Sequence, residues 1–470
     1  MAVEPGPTIQ SGVGDIPARG SNQSANGGGF DMMKPSRVKL PFSVIVIVIC
    51  VFAFAGVLYS EDIGSLSSSS ILNLRTCSKQ EPLANSREAD EDKKTSSAVE
   101  DDIDDLEADG KVEIDPPKCS VFKGNWVFNS SAEPLYTDET CPYLDRQVCC
   151  VKNGRPDSDY RHWEWQPDDC TLPRFDPAVA LEKLRGKRLM FVGDSLQRGQ
   201  WQSFVCLVEF LIPADQKSMR RGRSLSVFTA KEYNASIEFY WAPFLVESNS
   251  DLDVIADPND RILRVDSVSK HAKNWIGVDI LVFNTYVWWM SGFKIKSLWG
   301  SFANMEEGFE ELDAPIAYRL GLKTWANWVD STVDPNKTRV FFTTMSPTHM
   351  SHNDQNSHFR SKDWHNEEGI RCYNETSPVT KKGYWGSGSD KWIMNVVASV
   401  VERMKIPVSF INITQISEHR IDGHTSVYTE YQGEVLTDEQ KADPQSYADC
   451  IHWCLPGVPD TWNQLFYAYL

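Results

Sequence analysis

A short apolar run that ends at a Gly-Asp-Ser turn is the feature that most limits how this chain can fold. Residues 188–192 read Arg-Leu-Met-Phe-Val, and Gly193, Asp194 and Ser195 follow. Such a run predicts a strand buried on both faces, whereas the residues after Ser195 have helical periodicity. A serine at the tip of a strand-to-helix turn exposes its hydroxyl and has backbone N–H groups beside it. Ser195 is therefore a candidate nucleophile.

A nucleophilic serine needs a base, and the C-terminal region offers one. Asp449 and His452 lie three residues apart. A carboxylate that orients an imidazole, which in turn activates a serine hydroxyl, is the arrangement used for acyl chemistry. A lone Gly-Asp-Ser most often marks an ordinary turn. Asp422 and His424 are an alternative carboxylate and imidazole to Asp449 and His452. The combined pattern favours Ser195 with His452 as base and Asp449 as the orienting group.

Apolar strand patterns alternate with helical patterns through the C-terminal part of the chain. We predict helices at 177–184, 195–211, 314–333 and 390–404, and strands at 187–192, 236–241, 279–284, 339–344 and 408–413. This alternation predicts an α/β fold, a three-layer sandwich with a mostly parallel central sheet. Ser195 and Asn284 fall at carboxyl ends of strands, where sites form in such sheets.

The N-terminal region predicts a membrane anchor. Residues 40–59 are uncharged and long enough to span a bilayer. Basic residues precede this run and acidic residues follow it, so the N-terminus should stay cytosolic. We predict a single-pass type II protein; a cleavable signal peptide is disfavoured because 39 residues precede the run. The expected regions are a disordered tail (1–39), the anchor (40–59), a stem (60–115) and a lumenal domain (116–470), itself divided into 116–175 and 176–470.

Acidic residues are concentrated in the stem. The chain has a formal net charge of -18, and residues 61–115 hold sixteen acidic and six basic side chains, which gives -10. A Ser-rich acidic stretch with few aromatic residues predicts a disordered spacer. The overall acidity argues against a nucleic-acid partner.

Cysteines indicate an oxidising compartment. Of the eleven, nine lie in the predicted lumenal domain, where eight could form four disulfides and one is left over. Their spacing leaves the pairings open and matches no zinc site, so we predict no metal. Because 116–175 is rich in cysteine and tryptophan, we expect an irregular, disulfide-held subdomain there. Lumenal exposure also agrees with five glycosylation sequons. These begin at Asn129, Asn234, Asn336, Asn374 and Asn412.

Two further groups of residues are compatible with more than one role. Four histidines fall within seventeen residues, but their spacing fits no helical metal site and favours a surface or substrate loop. They are His349, His352, His358 and His365. Two tryptophan pairs could stack on sugar rings or belong to the core. They are Trp163 with Trp165 and Trp288 with Trp289.

The chain resembles the plant trichome birefringence-like proteins, polysaccharide O-acetyltransferases with a GDSL-esterase-like domain. The resemblance covers about 117–470 and rests on several motifs. They are WEWQP at 163–167, RLMFVGDSL at 188–196, FNTY at 283–286, RIDGH at 420–424 and DCIHWCLPG at 449–457.

This resemblance implies a GDSL/SGNH-hydrolase-like fold and a triad of Ser195, Asp449 and His452. It implies that Asn284 is a side-chain oxyanion donor beside the Ser195 N–H, although an ordinary strand-end turn accounts for Asn284 equally well. Gly193 is a further candidate for an oxyanion or substrate contact. It also implies four disulfides, two of which would clamp the segment that carries Asp449 and His452. The implied pairs are Cys119–Cys170, Cys141–Cys206, Cys150–Cys454 and Cys372–Cys450, with Cys149 free.

The implied function is a Golgi membrane acetyltransferase that uses an acetyl donor as co-substrate (acetyl-CoA or another carrier) and binds no resident cofactor. The acceptor would be a wall polysaccharide, xylan first, with mannan, xyloglucan and pectin still open. Two alternatives remain: an esterase with the same triad, and a wall-polysaccharide-binding protein without activity.

The predicted topology can be tested in sealed microsomes. We expect added protease to remove an N-terminal tag and to leave a C-terminal tag intact, because the charge distribution around 40–59 places only 1–39 in the cytosol. Detergent should expose both tags. Digestion of the large domain without detergent would contradict the type II assignment.

Overall fold

The computed structural model describes residues 120–255, 257–299, 308–350 and 370–470. The predicted tail, anchor and stem lie outside these residues, as do Cys119 and three of the four clustered histidines. Among the described residues, no helix has the length and apolar character needed to cross a membrane.

Strands make up several sheets in the described ranges. In chain order they are β1 (Gly124–Phe128), β2 (Trp163–Pro167), β3 (Arg188–Gly193), β4 (Lys217–Arg221), β5 (Leu225–Ala230), β6 (Ala235–Trp241), β7 (Glu247–Ser248), β8 (Ile262–Arg264), β9 (Ile280–Phe283), β10 (Lys294–Ser297), β11 (Glu310–Asp313), β12 (Arg339–Thr343), β13 (Val408–Ile411), β14 (His424–Ser426), β15 (Glu430–Tyr431), β16 (Glu434–Val435) and β17 (Asp449–Trp453).

Helices cover the sheets and join the strands. They are α1 (Pro177–Lys183), α2 (Ser195–Glu209), α3 (Ser269–Trp275), α4 (Ala314–Thr332), α5 (Lys391–Val401), α6 (Thr414–Glu418), α7 (Asp438–Lys441), α8 (Pro444–Tyr447) and α9 (Val458–Tyr469). A short 3-10 helix at Arg146–Val148 lies in the N-terminal part of the chain.

The largest sheet has seven strands in the order β13-β12-β9-β3-β6-β5-β4. The five strands from β13 to β6 are parallel, with Val192 of β3 opposite Phe283 of β9. Parallel strands connected through helices are buried on both faces. The predicted α/β class with a mostly parallel sheet is therefore confirmed.

The two faces of this sheet carry two separate hydrophobic clusters. Met190 and Val192 pack with residues of α3, α4 and α5 on one face. Leu189 and Phe191 pack with residues of α1, α2 and α9 on the other. All four side chains are fully buried, which explains why β3 is a continuous apolar run. Each contributes about 1.5–3 kcal/mol of burial free energy.

Sequence patterns missed the sheet's antiparallel end and a second sheet. β4, β5 and β6 form an antiparallel meander, and β4 (Lys-Ser-Met-Arg-Arg) is the exposed edge. An edge strand that no second layer covers does not need alternating apolar residues. Its charged side chains also discourage pairing with strands of other chains. The second sheet, ordered β11-β10-β8-β7, consists of strands of two to four residues, too short for a periodic signal.

The N-terminal part of the described chain packs directly on the α/β core. Trp126 of β1 and Trp165 of β2 are buried in the same cluster as α2 and α9. The Trp126 indole donates a hydrogen bond to the Ile416 carbonyl at 2.8 Å. A disulfide joins Cys141 to Cys206 on α2. The residues before 176 therefore share the core of the larger domain.

Gly193, the last residue of β3, has no room for a side chain. A Cβ there would lie 2.4 Å from the Asn284 carbonyl oxygen and 2.9 Å from Gln197 Cβ. We expect Gly193→Ala to destabilise the fold by about 3 kcal/mol, because neither the strand end nor the helix can move aside. Thermal and urea denaturation measure this change.

Gly199, in the middle of α2, supplies the matched control. Nothing lies within 4 Å of a Cβ added there, so Gly199→Ala should stabilise the helix by up to about 1 kcal/mol. Equal stability of the two variants would contradict the close approach at Gly193.

Candidate active site

The turn after β3 places Ser195 at the carboxyl edge of the sheet. Asp194 is the N-cap of α2, and its Oδ1 accepts a hydrogen bond from the Leu196 N–H at 2.9 Å. Burial raises the pKa of Asp194 to about 6, against the backbone hydrogen bonds that favour its charged form. Ser195 is the half-buried first residue of the helix. Its backbone N–H lies in the first turn, where N–H groups have no partner within the helix.

Three predicted residues meet in one hydrogen-bonded row. His452 Nε2 lies 2.7 Å from Ser195 Oγ, and His452 Nδ1 lies 2.7 Å from Asp449 Oδ2. Because the carboxylate can only accept, the imidazole hydrogen resides on Nδ1 and Nε2 is the bare nitrogen that faces the serine hydroxyl. This tautomer is the one that a general base requires.

The Asp449 carboxylate is held in its charged form. Its Oδ1 accepts hydrogen bonds from the Ile451 and His452 N–H groups at 3.0 Å each. Burial opposes ionisation, but the interaction with His452 and these hydrogen bonds outweigh it and hold the pKa of Asp449 well below its usual range. Asp449 therefore remains negative whenever His452 is able to act as a base.

The strand β17, which carries Asp449 and His452, is fastened at several points. Cys450 is bonded to Cys372 and Cys454 to Cys150. β14 pairs antiparallel with the two ends of β17, with a register shift between the two pairs. The His349 N–H donates to the Cys450 carbonyl at 3.0 Å. These contacts leave the imidazole little freedom relative to Ser195.

The rival residues Asp422 and His424 lie elsewhere. Asp422 forms a buried, bidentate ion pair with Arg420, at 2.9 Å for each contact. His424 Nδ1 donates to the His452 carbonyl at 3.0 Å, and its Nε2 lies 2.7 Å from His349 Nδ1. Burial and then the neighbouring His349 hold the pKa of His424 well below its usual range. His424 therefore supports β17, whereas the Asp422 carboxylate is used by Arg420.

The structure gives Asn284 a different role from the predicted oxyanion donor. Its buried amide donates to the Thr343 carbonyl at 2.9 Å and to the Thr344 carbonyl at 3.0 Å. Both N–H bonds are thus used to join the ends of β9 and β12. Gly193 likewise serves close packing, and its carbonyl accepts from the Ala242 N–H at 2.9 Å. The Ser195 N–H, at the start of α2, remains a candidate oxyanion donor among the residues that the structure describes.

Three of the four expected disulfides are present among the described residues. Cys170 is also disulfide-bonded, and its expected partner Cys119 lies outside those residues. Cys149 is a buried free thiol. Burial raises its pKa to about 11, so it is a poor nucleophile.

The tryptophan pairs divide between core and surface. Trp165 and Trp289 are buried, whereas Trp163 and Trp288 are half-buried. Among the described residues, no group of three or more metal-ligating side chains could hold an ion.

Sequence reasoning missed Gln147, which lies beside the triad. Its Nε2 is 3.1 Å from His452 Nδ1 and 3.4 Å from Asp449 Oδ2. Arg198, one turn after Ser195 on α2, donates to Gln147 Oε1 at 3.3 Å. No local pattern identifies a glutamine some three hundred residues away from its contacts.

The parallel α/β sheet, with a serine at a strand-to-helix turn and an Asp-x-x-His segment beside it, is a fold of the GDSL/SGNH-like acyl-esterase class. The model of the PC-esterase family, the GDSL/SGNH-like acyl-esterase family found in Pmr5 and Cas1p, matches residues 172–469. The model of the PMR5 N-terminal domain matches residues 117–171. The chain belongs to this PC-esterase family.

Named relatives are similar over most of the chain. Protein trichome birefringence-like 3 of Arabidopsis thaliana is 59% identical over 437 residues, which cover 92% of this chain and 97% of that protein. Probable xylan O-acetyltransferase 8 of Oryza sativa subsp. japonica is 54% identical over 458 residues, with 93% and 99% covered. Xylan O-acetyltransferase 6 of the same rice is 49% identical over 358 residues, with 75% and 62% covered.

The bridges around β17 should matter for activity beyond their effect on stability. We expect the double variant Cys150→Ser/Cys454→Ser to lose about 2–5 kcal/mol of unfolding free energy. Its turnover should fall further than the unfolded fraction explains, because His452 would spend less time within reach of Ser195. Turnover and thermal unfolding of the same preparation test this.

The control is Cys141→Ser/Cys206→Ser, which removes a bridge whose two cysteines both lie outside β17. Its activity should follow its folded fraction. If both double variants lose activity in the same proportion to stability, the bridges at β17 act on global stability only.

Proposed function

We propose that this protein is a Golgi O-acetyltransferase that transfers acetyl groups to hydroxyls of a plant cell-wall polysaccharide, xylan in the first place. The observation that carries the proposal is the row from Asp449 through His452 to Ser195, with 2.7 Å at each contact. Relatives named as xylan O-acetyltransferases support the acceptor class.

The first half of the reaction forms an acetyl-serine. His452 Nε2 takes the proton from Ser195 Oγ as that oxygen attacks the acetyl carbonyl of the donor. The Ser195 N–H stabilises the oxyanion, and protonated His452 returns the proton to the departing carrier. Asp449 stabilises the imidazolium that exists between these steps.

The second half repeats the chemistry with a sugar. His452 removes the proton from a sugar hydroxyl, whose oxygen attacks the acetyl-serine carbonyl. Ser195 leaves with the proton from His452, so the enzyme returns to its starting state. The acetyl donor is a co-substrate, acetyl-CoA or another acetyl carrier.

Two half-buried aromatic side chains near the turn suit a carbohydrate acceptor. Trp241 ends β6 and lies opposite Gly193 in the parallel register. Its ring meets that of Trp288 edge to face at 5.4 Å, and the Arg261 guanidinium lies 4.1 Å from the centre of the Trp288 ring. Indole faces pack against apolar faces of sugar rings. We assign Trp241 and Trp288 to the acceptor side of the site.

The second candidate is an esterase, in which water takes the place of the sugar. The family description as acyl-esterases favours it. Both activities share the acetyl-serine, so the acceptor of the second step separates them.

The proposed location is the Golgi lumen behind a type II anchor. The disulfides support an oxidising compartment. Three sequon asparagines, Asn234, Asn336 and Asn374, are exposed in turns or loops, where glycans can be carried.

Ser195→Ala tests the proposal. Full-length protein in detergent is incubated with acetyl-CoA or a small activated acetyl ester, with and without xylan oligomers. We expect wild type to acetylate the oligomers and Ser195→Ala to lose at least about a thousandfold in turnover. Peptide mass spectrometry of quenched wild type should find the acetyl group on Ser195.

The control is Ser331→Ala, an exposed serine near the end of α4, which should keep full activity. Full activity of folded Ser195→Ala would refute the mechanism. If the rate of acetate release is the same with and without xylan oligomers, and the oligomers are not acetylated, the result favours the esterase.

A further inference from the structure

We propose that Gln147, from the region matched by the PMR5 N-terminal domain, is a positioning residue of the triad. The inference rests on the proposed function, because it assigns a role within the same serine-based site. It makes the N-terminal region a contributor to the chemistry as well as to the fold.

The direction of the Gln147 amide follows from its neighbours. Arg198 donates to Gln147 Oε1 at 3.3 Å, which places the NH₂ group toward the triad. The Nδ1 hydrogen of His452 already points at Asp449, so this nitrogen cannot also accept. The Gln147 N–H therefore has Asp449 Oδ2, at 3.4 Å, as its acceptor.

Arg198 is itself held in place. Its Nε lies 3.3 Å from Asp145 Oδ2, and Arg221 binds the other oxygen of the same carboxylate at 2.7 Å. Arg198 stands on the helix that begins with Ser195. The row Arg221, Asp145, Arg198 and Gln147 thus connects the nucleophile's helix to the orienting carboxylate.

Gln147 completes the hydrogen bonding of Asp449. Oδ1 accepts two backbone N–H groups, and Oδ2 accepts the His452 Nδ1–H together with the Gln147 amide. A carboxylate with donors on both oxygens has one orientation, so the imidazole that it binds also has one. Gln147 acts through Asp449 and His452.

The backbone around Gln147 is tied to the segment that follows β17. The Leu455 N–H donates to the Val148 carbonyl at 3.0 Å, and Cys150 is bonded to Cys454. Thr429 Oγ1 donates to the Gln147 carbonyl at 3.3 Å. These contacts fix the backbone that carries Gln147, so its side chain is held in place beside Asp449.

The test compares Gln147→Leu and Gln147→Glu in the full-length protein. Leucine removes the donor at similar size, and we expect kcat to fall about tenfold with KM for xylan oligomers unchanged. Glutamate keeps the shape but adds a negative charge beside the imidazole. It should move the acidic limb of the kcat/KM profile to higher pH, because the imidazolium gains a second partner.

Gln464 provides matched controls, since it lies on α9 and its side chain donates to the Pro173 carbonyl at 3.1 Å. Gln464→Leu and Gln464→Glu should keep the wild-type kcat and pH profile. Circular dichroism and thermal unfolding identify any variant that is not folded, and the isosteric Gln147→Glu keeps the test available if Gln147→Leu unfolds.

Failure of this inference is distinct from failure of the proposed function. If wild type turns over through Ser195 but folded Gln147 variants keep its kcat and pH profile, the positioning role is wrong and the triad stands. If Gln147 variants change only KM, Gln147 contacts substrate and the inference is likewise overturned. If wild type shows no turnover that depends on Ser195, the proposed function itself has failed.

Discussion

The hydrogen bond between His452 and Ser195 is the contact on which the site depends, and it joins residues 257 positions apart. A free chain would bring these groups together only rarely, so the fold must hold β17 against the start of α2. Two disulfides fasten β17 at Cys450 and just after it at Cys454, to Cys372 and Cys150, and antiparallel pairing with β14 supports the residues between them. The geometry of the row Asp449, His452 and Ser195 therefore depends on these long-range contacts as well as on the three residues themselves.

The parallel sheet fixes the position of Ser195, the other residue in this hydrogen bond. β3 is buried on both faces, and α2 packs on one of them, so the turn with Ser195 cannot shift without disturbing two hydrophobic clusters. Asn284 joins the neighbouring strand ends, and Gly193 lets β9 approach closely. Asn284 and Gly193 therefore stabilise the strand ends next to Ser195. A polar residue close to the site, such as Asn284, can thus have a structural role without contacting substrate.

The sequence predicted correctly those strands and helices in which burial imposes a regular spacing of apolar residues. The strands β3, β9 and β12 are apolar because two layers cover them, and α4 repeats its buried face through Ala317, Tyr318 and Trp325. Each was predicted to within a few residues. The predictions missed β4, which is a charged edge strand, and the second sheet, whose strands are short. These strands form because of tertiary pairing and have no regular pattern of apolar side chains.

The sequence by itself determined the α/β class, the serine at a strand end and a carboxylate–imidazole pair near the C-terminus, because each follows from local pattern. Only the tertiary structure decided that His452 faces Ser195 while His424 supports β17. It alone showed that the Asn284 amide is used within the protein and that Gln147 reaches Asp449. Chemically identical side chains acquire different roles through long-range contacts, and no local pattern contains those contacts.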